Sequence, residues 1–183
     1  MESGFALFDT KIGLCGLAWT GSTLRGVQLP EASAAKARGE LKRRFPDLDE
    51  AEPPPWVVDS IDALTAFLSG ATETALAAIP IDLTSVGEWE RRVYQAARDV
   101  PAGSTVTYGM LAARLGDPGK ARAVGQALGR NPWPIVIPCH RITAAGGRMG
   151  GFSAPGGTVT KLKLLEIEGA LAADGLPLFA VTH

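Results

Sequence analysis

Residues 134–141 read Pro-Ile-Val-Ile-Pro-Cys-His-Arg. The three β-branched residues Ile135 to Ile137 predict a short, buried, extended segment. Pro138 ends that segment, because the residue before a proline is pushed out of the helical region and the proline itself donates no hydrogen bond. Cys139 then lies where the predicted strand breaks, and His140 comes next.

The cysteine of this octet is a candidate nucleophile. A thiol attacks only as the thiolate, and a nearby histidine or arginine charge lowers its pKa. We therefore predict that Cys139 is reactive and that His140 is its partner. The alternative is a buried structural cysteine beside a surface histidine, which is how most free cysteines occur.

The composition limits the class of protein. The chain has 183 residues, 46% of them hydrophobic and 20% charged, which suffices for one domain or two small ones with a buried core. No apolar run approaches the length of a membrane span, and the first residues do not form a signal peptide, so we expect a cytoplasmic protein. Cys15 and Cys139 are expected to be free thiols in a reducing compartment. Two cysteines and two histidines without metal-ligand spacing predict no metal.

The charge is divided unevenly along the chain. Residues 1–83 hold 7 Lys/Arg and 12 Asp/Glu, a net charge of −5, whereas residues 84–183 hold 11 and 7, a net charge of +4. Residues 107–150 contain a single acid and a basic patch of six side chains: Arg114, Lys120, Arg122, Arg130, Arg141 and Arg148. Such a patch fits a polyanionic partner, the alternative being an ordinary solvated face.

The first part of the chain reads as a small α/β unit. Three apolar runs separated by glycine-containing turns predict a β-meander; they are Phe5–Phe8, Leu14–Trp19 and Leu24–Leu29. Helices are predicted over residues 32–45 and 59–68, and a further strand over 79–83. We place the domain boundary near residues 82–85.

The second part of the chain reads as mainly helical. A first helix is predicted to be capped by Thr84 or Ser85. Two short helices, Thr107–Leu115 and Lys120–Leu128, are separated by a glycine-containing turn, which predicts a helix-turn-helix, although a plain helical hairpin has the same pattern. The second of these helices begins with basic residues, as a DNA-reading helix does.

A glycine-rich loop, residues 146–157, follows the octet. It holds six glycines in twelve residues and can approach a ligand closely, but it lacks the ending of a phosphate-binding loop. A helix is predicted over residues 158–168, and an irregular tail over 176–179. The predicted fold class is therefore α/β (α+β), with an N-terminal sheet-and-helix domain over 1–83 and a mainly helical domain over 84–183.

Several motifs together resemble one family. The run Ile137-Pro138-Cys139-His140-Arg141-Ile142 is similar to the signature of the O6-alkylguanine-DNA alkyltransferases, also called methylated-DNA–protein-cysteine methyltransferases. The upstream segments that match are 103–109, 122–125 and 130–132, and the downstream match is 161–169. The resemblance is specific over about residues 84–169 and loose over the first third.

The resemblance implies DNA repair by a single, stoichiometric transfer without a cofactor. Cys139 would take the alkyl group from guanine O6 and keep it. His140 would deprotonate Cys139 through a water, and Glu168 would orient His140 in the manner of a triad. Asn131 would tie the DNA-binding helices to the active-site strand. Transfer at O4-alkylthymine is left open.

The resemblance also implies how duplex DNA is bound. The damaged base must leave the stack, so Arg122 would fill the gap and Tyr108 would turn the phosphate and donate to the base. We predict further DNA contacts, taken from the basic patch, at Lys120, Arg130 and Arg141. Around the base, the backbone at Val136 and Cys139 would read the guanine edge, Phe152 would stack, and Ser153 would face O6. We expect a monomer.

Two departures from the family pattern concern the glycine-rich loop. Phe152 stands where many members have tyrosine, which keeps a ring but removes a hydroxyl. The stretch from Ser153 to Gly157 is about two residues longer than in the family. Both departures leave the preferred size of the alkyl group open.

Other functions remain open at the level of sequence. A sensor could bind alkylated DNA without transferring the group; related non-repairing proteins carry tryptophan in place of the cysteine. A cysteine hydrolase would need turnover and an oxyanion hole, and adjacent Cys139 and His140 make direct proton transfer awkward. A helix-turn-helix regulator would normally dimerise, and no dimerisation element is apparent.

Overall fold

The computed structural model describes residues 2–170, so the predicted tail at 176–179 lies outside the described residues. The chain divides into two compact units. The first comprises the residues up to Asp82 together with Pro132–Val136, and the second comprises Leu83–Asn131 and the residues from Ile137 onward. No helix among the described residues is long and apolar enough to cross a membrane.

The first unit is built on the predicted meander, which is confirmed. Strands β1 (Ser3–Thr10), β2 (Gly13–Thr20) and β3 (Thr23–Gln28) pair antiparallel in the order β1-β2-β3. Two-residue turns connect them, and Gly21 has the positive φ of 60° that such a tight turn requires. Apolar side chains of all three strands are buried in the core of this unit, and Leu17 is completely buried.

Two helices accompany this sheet. Helix α1 (Ala34–Arg44) begins at Ser33, whose side chain accepts a hydrogen bond from the amide of Lys36. Helix α2 (Pro55–Leu68) begins four residues before the predicted start, because Pro55 fits the first helical position. A buried cluster of side chains joins α1 to the sheet: Phe5, Ala18, Leu41, Phe45 and Leu48.

The strand predicted over residues 79–83 is wrong. The chain there forms only an isolated bridge between Ile81 and Leu24, preceded by a 3-10 helix at Glu73–Ala78. Pro80 accepts a hydrogen bond from the Leu24 amide at 2.8 Å but has no N–H to continue a ladder. This stretch therefore pairs with the sheet at one point.

The second unit is mainly helical, as predicted. Its helices are α3 (Glu88–Arg98), α4 (Tyr108–Arg114), α5 (Ala121–Gly129) and α6 (Gly157–Ile167), and a short parallel pair joins β4 (Val106–Thr107) to β5 (Ile142–Thr143). The predicted cap at Thr84 or Ser85 is wrong, because both residues lie within the 3-10 turn Leu83–Ser85, and Gly87 caps α3 without a side-chain bond.

The core of this unit holds α3, α4 and α5 together. Val93 and Ala97 of α3 are fully buried, as are Val124 and Ala127 of α5, and the two helices pack against each other. The buried Tyr94 hydroxyl donates to the Ala127 carbonyl at 2.9 Å. Burying either of the two valines contributes about 1.5–3 kcal/mol. A 3-10 turn at Pro118–Lys120 separates α4 from α5.

The extended segment predicted at Ile135 to Ile137 is wrong, although its burial is confirmed. Ile135 and Val136 form a turn, and Ile135 has a φ of 78°, which is rare for a β-branched residue. Prolines at both ends leave too few donors for a ladder, and burial of the three side chains outweighs their strand propensity. Cys139 follows this turn and not a strand.

Candidate active site

Cys139 opens a 3-10 helix that spans Cys139–Arg141. The Cys139 amide donates to the Ile137 carbonyl at 2.8 Å, and the Arg141 amide donates to the Pro138 carbonyl at 2.9 Å. These bonds fix the backbone on both sides of the thiol, and only 8% of the Cys139 residue is exposed. Burial raises the pKa of the Cys139 thiol above its ordinary value. The resting sulfur is therefore protonated at neutral pH and needs a base.

Asn131 contacts the sulfur directly. Its Nδ2 donates to the Ile137 carbonyl at 3.0 Å and to Sγ of Cys139 at 3.3 Å. The bond to Sγ lowers the Cys139 pKa, opposing the effect of burial. Asn131 lies two residues after the end of α5, so a single side chain connects the end of that helix to the thiol.

His140 and Glu168 form a buried pair beside the thiol. Nε2 of His140 lies 2.7 Å from Oε1 of Glu168, and both side chains are fully buried. Nδ1 of His140 is buried without a hydrogen-bond partner among the described residues. Burial lowers the pKa of His140, and the bond to Glu168 only partly opposes it, so the ring is neutral at pH 7. A neutral ring with a free nitrogen can accept a proton.

Arg141 is buried, and this corrects its prediction as a DNA contact. Only 1% of the residue is exposed. Its Nη2 donates to Oε1 of Glu168 at 2.8 Å, and its Nη1 donates to the Val100 carbonyl at 2.6 Å. A guanidinium committed to internal partners is not available to a phosphate. The role of Arg141 in this structure is to hold Glu168.

The carboxylate of Glu168 is therefore shared by two cationic or polar partners. Burial acts to raise the pKa of Glu168, but the bonds from His140 and Arg141 outweigh it and the net shift is downward. Glu168 is ionised at neutral pH. An ionised Glu168 accepts a hydrogen bond from the N–H at Nε2 of His140, so the other ring nitrogen, Nδ1, is unprotonated.

The remaining basic patch is on the surface. Arg122 is exposed in the first turn of α5, and Arg114 and Arg148 are exposed as well. Lys120 pairs with Asp117 at 2.9 Å and lies 5.0 Å from the Trp89 ring centroid. Arg130 pairs with Glu90 at 2.6 Å.

Tyr108 begins α4 and lies against the glycine-rich loop. Its hydroxyl donates to the Gly151 carbonyl at 3.3 Å. Burial raises the pKa of this hydroxyl, so it remains a donor at neutral pH. Gly150 has a φ of 70°, and a Cβ there would lie 2.9 Å from Tyr108 Cε2, so only glycine permits this close approach.

The residues predicted to contact the base differ in how far they are buried. Phe152 is half-buried in the glycine-rich loop, and Ser153 is exposed, its hydroxyl donating to the Gly129 carbonyl at 2.8 Å. Val136 is buried and belongs to the first unit. Their contacts to a base remain predictions.

Lys161 is a residue of this site that the sequence analysis did not single out. It lies in α6, is fully buried, and donates from Nζ to the carbonyls of Ile142 at 2.6 Å and Met149 at 2.7 Å. Burial lowers the pKa of Lys161 to about 8. A signal was available, because Lys161 shares the helical spacing of the buried Leu164 and Leu165.

Among residues 2–170, no group of three or more His, Cys, Asp or Glu side chains could hold a metal ion.

Comparison with known proteins identifies relatives over most of the chain. A family model described as 6-O-methylguanine DNA methyltransferase, DNA binding domain, matches residues 88–170. The methylated-DNA–protein-cysteine methyltransferase of Mycobacterium leprae is 36% identical over 172 residues, covering 93% of this chain and 95% of that protein. The crystal structure of Mycobacterium tuberculosis OGT in complex with DNA gives a TM-score of 0.72 at 32% identity and covers 96% of each chain. An O6-methylguanine-DNA methyltransferase from Pyrococcus kodakaraensis gives a TM-score of 0.68 at 26% identity and covers 90% of this chain and 99% of that one.

Proposed function

The chain belongs to the methylated-DNA–protein-cysteine methyltransferase family, and we propose that Cys139 is the residue that accepts the alkyl group. The protein is a DNA-repair methyltransferase that acts by direct transfer, and DNA is its partner. The observation that carries the assignment is the buried turn in which Cys139 and His140 are adjacent, with Asn131 donating to the sulfur and Glu168 bonded to His140.

The transfer is a single displacement at the alkyl carbon. The Cys139 sulfur bonds to that carbon as the bond from the carbon to guanine O6 breaks, and the electron pair of the broken bond goes to O6. The thiol gives up its proton to His140, which releases it to solvent, and the leaving guanine takes up one proton from solvent. The products are S-alkylcysteine and unmodified guanine, and one protein molecule repairs one lesion.

His140 is the proposed base, acting from Nδ1 through one water molecule. Three features support this: the ring is neutral, Nε2 is engaged by Glu168, and Nδ1 has no partner among the described residues. The elevated pKa of Cys139 makes the base necessary, since without it little thiolate forms at neutral pH. The Asn131 amide then stabilises the developing negative charge on sulfur.

The proposed substrate is duplex DNA that contains O6-alkylguanine, with the damaged base turned out of the stack. Arg122, exposed in the first turn of α5, would fill the vacated position, and Lys120 and Arg130 would contact phosphates. Tyr108 and Phe152 would line the base pocket. For Ser153 to face O6, its hydroxyl must give up its hydrogen bond to the Gly129 carbonyl and donate to the base instead.

We propose that the protein acts as a monomer in the cytoplasm. Each residue of the proposed chemistry comes from one copy of the chain, so transfer needs no second subunit. Both thiols are free, and this fits a reducing compartment.

The deciding experiment compares binding with transfer. Wild-type protein, Cys139→Ala and the control Cys15→Ala are each incubated with a duplex carrying one O6-methylguanine. We expect Cys139→Ala to bind the duplex and leave the methyl group in place, and Cys15→Ala to transfer it as the wild type does. Cys15 is buried and its pKa is raised to about 11, so it does not compete as a nucleophile.

The same experiment separates the two other functions. A sensor of alkylated DNA would bind the duplex without removing the methyl group even in the wild type. A cysteine hydrolase would act on more lesions than there are protein molecules. Loss of one methyl group per wild-type molecule, absent in Cys139→Ala, excludes both.

A further inference from the structure

Lys161 is a fully buried cation of the second unit. Among the described residues, no carboxylate forms an ion pair with it. Its Nζ instead donates to two backbone carbonyls, Ile142 at 2.6 Å and Met149 at 2.7 Å. A buried ammonium without a counter-charge is costly, and carbonyl dipoles offset only part of that cost. The position therefore needs a further reason for a positive charge.

Ile142, one of the two residues that bind Lys161 Nζ, is also hydrogen-bonded to Cys139. The Ile142 amide donates to the Cys139 carbonyl and so closes the 3-10 turn that begins at Cys139. The Ile142 carbonyl accepts from Lys161 Nζ. The ammonium is thus held on the residue that completes the turn of the thiol. Its charge lowers the pKa of Cys139, and a negative charge on Cys139 raises the pKa of Lys161.

The other side of Lys161 meets the base pocket. Its Nζ lies 5.8 Å from the centroid of the Tyr108 ring, within the range of a cation–π contact. Its second anchor, Met149, lies in the glycine-rich loop, one residue before the Gly150 that packs on Tyr108. Lys161 therefore contacts three features at once: the 3-10 turn that begins at Cys139 (the thiol turn), the glycine-rich loop and the ring of Tyr108.

The remaining charges near Cys139 compensate one another. Glu168 is ionised and pairs with Arg141, and His140 is neutral. The Tyr108 hydroxyl is protonated at neutral pH, since burial raises its pKa. The positive charge of Lys161 is therefore left without a negative partner. Cys139 supplies a negative charge when its thiol is deprotonated.

We propose that Lys161 is a positioning residue whose buried ammonium group is the counter-charge of the Cys139 thiolate. It stabilises the negative sulfur through space. Its hydrogen bonds to Ile142 and Met149 fix the position of the thiol turn relative to the glycine-rich loop. The proposal rests on the assignment of Cys139 as the alkyl acceptor. It predicts that the charge, and not only the hydrogen bonds, sets the reactivity of the thiol.

The test measures the thiol without DNA. The rate of Cys139 alkylation by iodoacetamide is followed from pH 6 to pH 10, with the modified residue assigned by peptide mass. Lys161→Gln removes the charge but keeps an amide donor for the carbonyls, whereas Lys161→Met removes both. Lys163→Gln is the matched control, because Lys163 lies two residues on in α6 and is exposed. Thermal unfolding of each variant reports the structural cost.

Loss of the charge predicts that Lys161→Gln and Lys161→Met both lower the alkylation rate at pH 7.5 about tenfold, which is the effect of a thiol pKa about one unit higher. Lys163→Gln should match the wild type. A wild-type profile in folded Lys161→Gln overturns the proposal, whatever Lys161→Met does, and leaves Lys161 a purely structural clamp. Failure of methyl transfer in the wild type would overturn the proposed function instead, because the thiol titration does not depend on it.

Discussion

Nε2 of His140 lies 2.7 Å from Oε1 of Glu168, and both side chains are fully buried. An ionised carboxylate only accepts hydrogen bonds, so we infer that Nε2 carries the ring proton and that Nδ1 keeps its lone pair. Arg141 binds the same carboxylate and keeps it ionised. This one contact therefore decides which nitrogen of His140 can take the proton of Cys139.

Glu168→Gln is expected to destabilise the protein by about 3–5 kcal/mol, because it leaves the Arg141 guanidinium buried and uncompensated. Chemical denaturation at pH 7 measures the loss. Glu166→Gln is the control, since Glu166 is exposed two residues earlier in α6 and should change stability by less than about 0.5 kcal/mol. Equal stability of the two variants would contradict the buried ion pair.

The same carboxylate predicts how stability depends on pH. The native pKa of Glu168 is lowered, so the folded state holds this proton more weakly than the unfolded chain. Its contribution is complete above the ordinary carboxyl pKa of about 4.3 and is lost as the pH falls through the lower native value. Between pH 5 and pH 3 the unfolding free energy of Glu168→Gln should therefore fall less steeply than that of the wild type.

Asn131→Ala should slow methyl transfer by about 10- to 100-fold. The variant loses the donor to Sγ of Cys139, and a hydrogen bond to a charged group contributes about 1.5–3 kcal/mol. Single-turnover transfer from an O6-methylguanine duplex measures the effect. Gln126→Ala, an exposed change in α5, serves as the control. A rate for Asn131→Ala within a factor of two of that control would show that the bond to sulfur does not matter.

Arg122→Ala should weaken repair of duplex DNA much more than reaction with free O6-benzylguanine. Arg122 is exposed at the start of α5, so we expect its removal to affect the extrusion of the base and not the chemistry at Cys139. The two substrates are compared with the same protein preparation. If the rates of both reactions fall by the same factor, Arg122 is not the residue that fills the gap left by the extruded base.

Gly150→Ala should slow methyl transfer, because the new side chain would displace Tyr108. The new Cβ would lie 2.9 Å from Tyr108 Cε2, and the φ of 70° adds about 1–2 kcal/mol of strain. Gly147→Ala is a matched control, because it has a φ of 73° but no atom within 4 Å of a new Cβ. The two variants should lose similar backbone stability, and only Gly150→Ala should lose transfer rate. Equal transfer rates would mean that the approach of Gly150 to Tyr108 has no role.

The sequence predicted the local features of this fold better than its long-range contacts. The meander could be read because apolar runs and glycine turns are local signals, and Thr107 could be placed at the start of α4 by similar reasoning. The turn at Ile135 could not, since β-branching favours a strand and only tertiary burial forces a φ of 78°.

Buried charges were the other feature that the sequence did not reveal. Arg141 was counted with the surface patch because its partner Glu168 lies 27 residues later in the chain. Lys161 was overlooked although it lies on the buried stripe of α6. Both errors have one cause: a charged side chain reads as exposed until its internal partner is known.

The most direct test of the account is the mass of the protein after repair. Wild-type protein is incubated with excess duplex carrying one O6-methylguanine, and its intact mass and peptide map are recorded. We predict a gain of one methyl group, located on Cys139, with repair that stops when each protein molecule has reacted once. Tight binding with no change in mass, or a methyl group on any residue other than Cys139, would contradict the account.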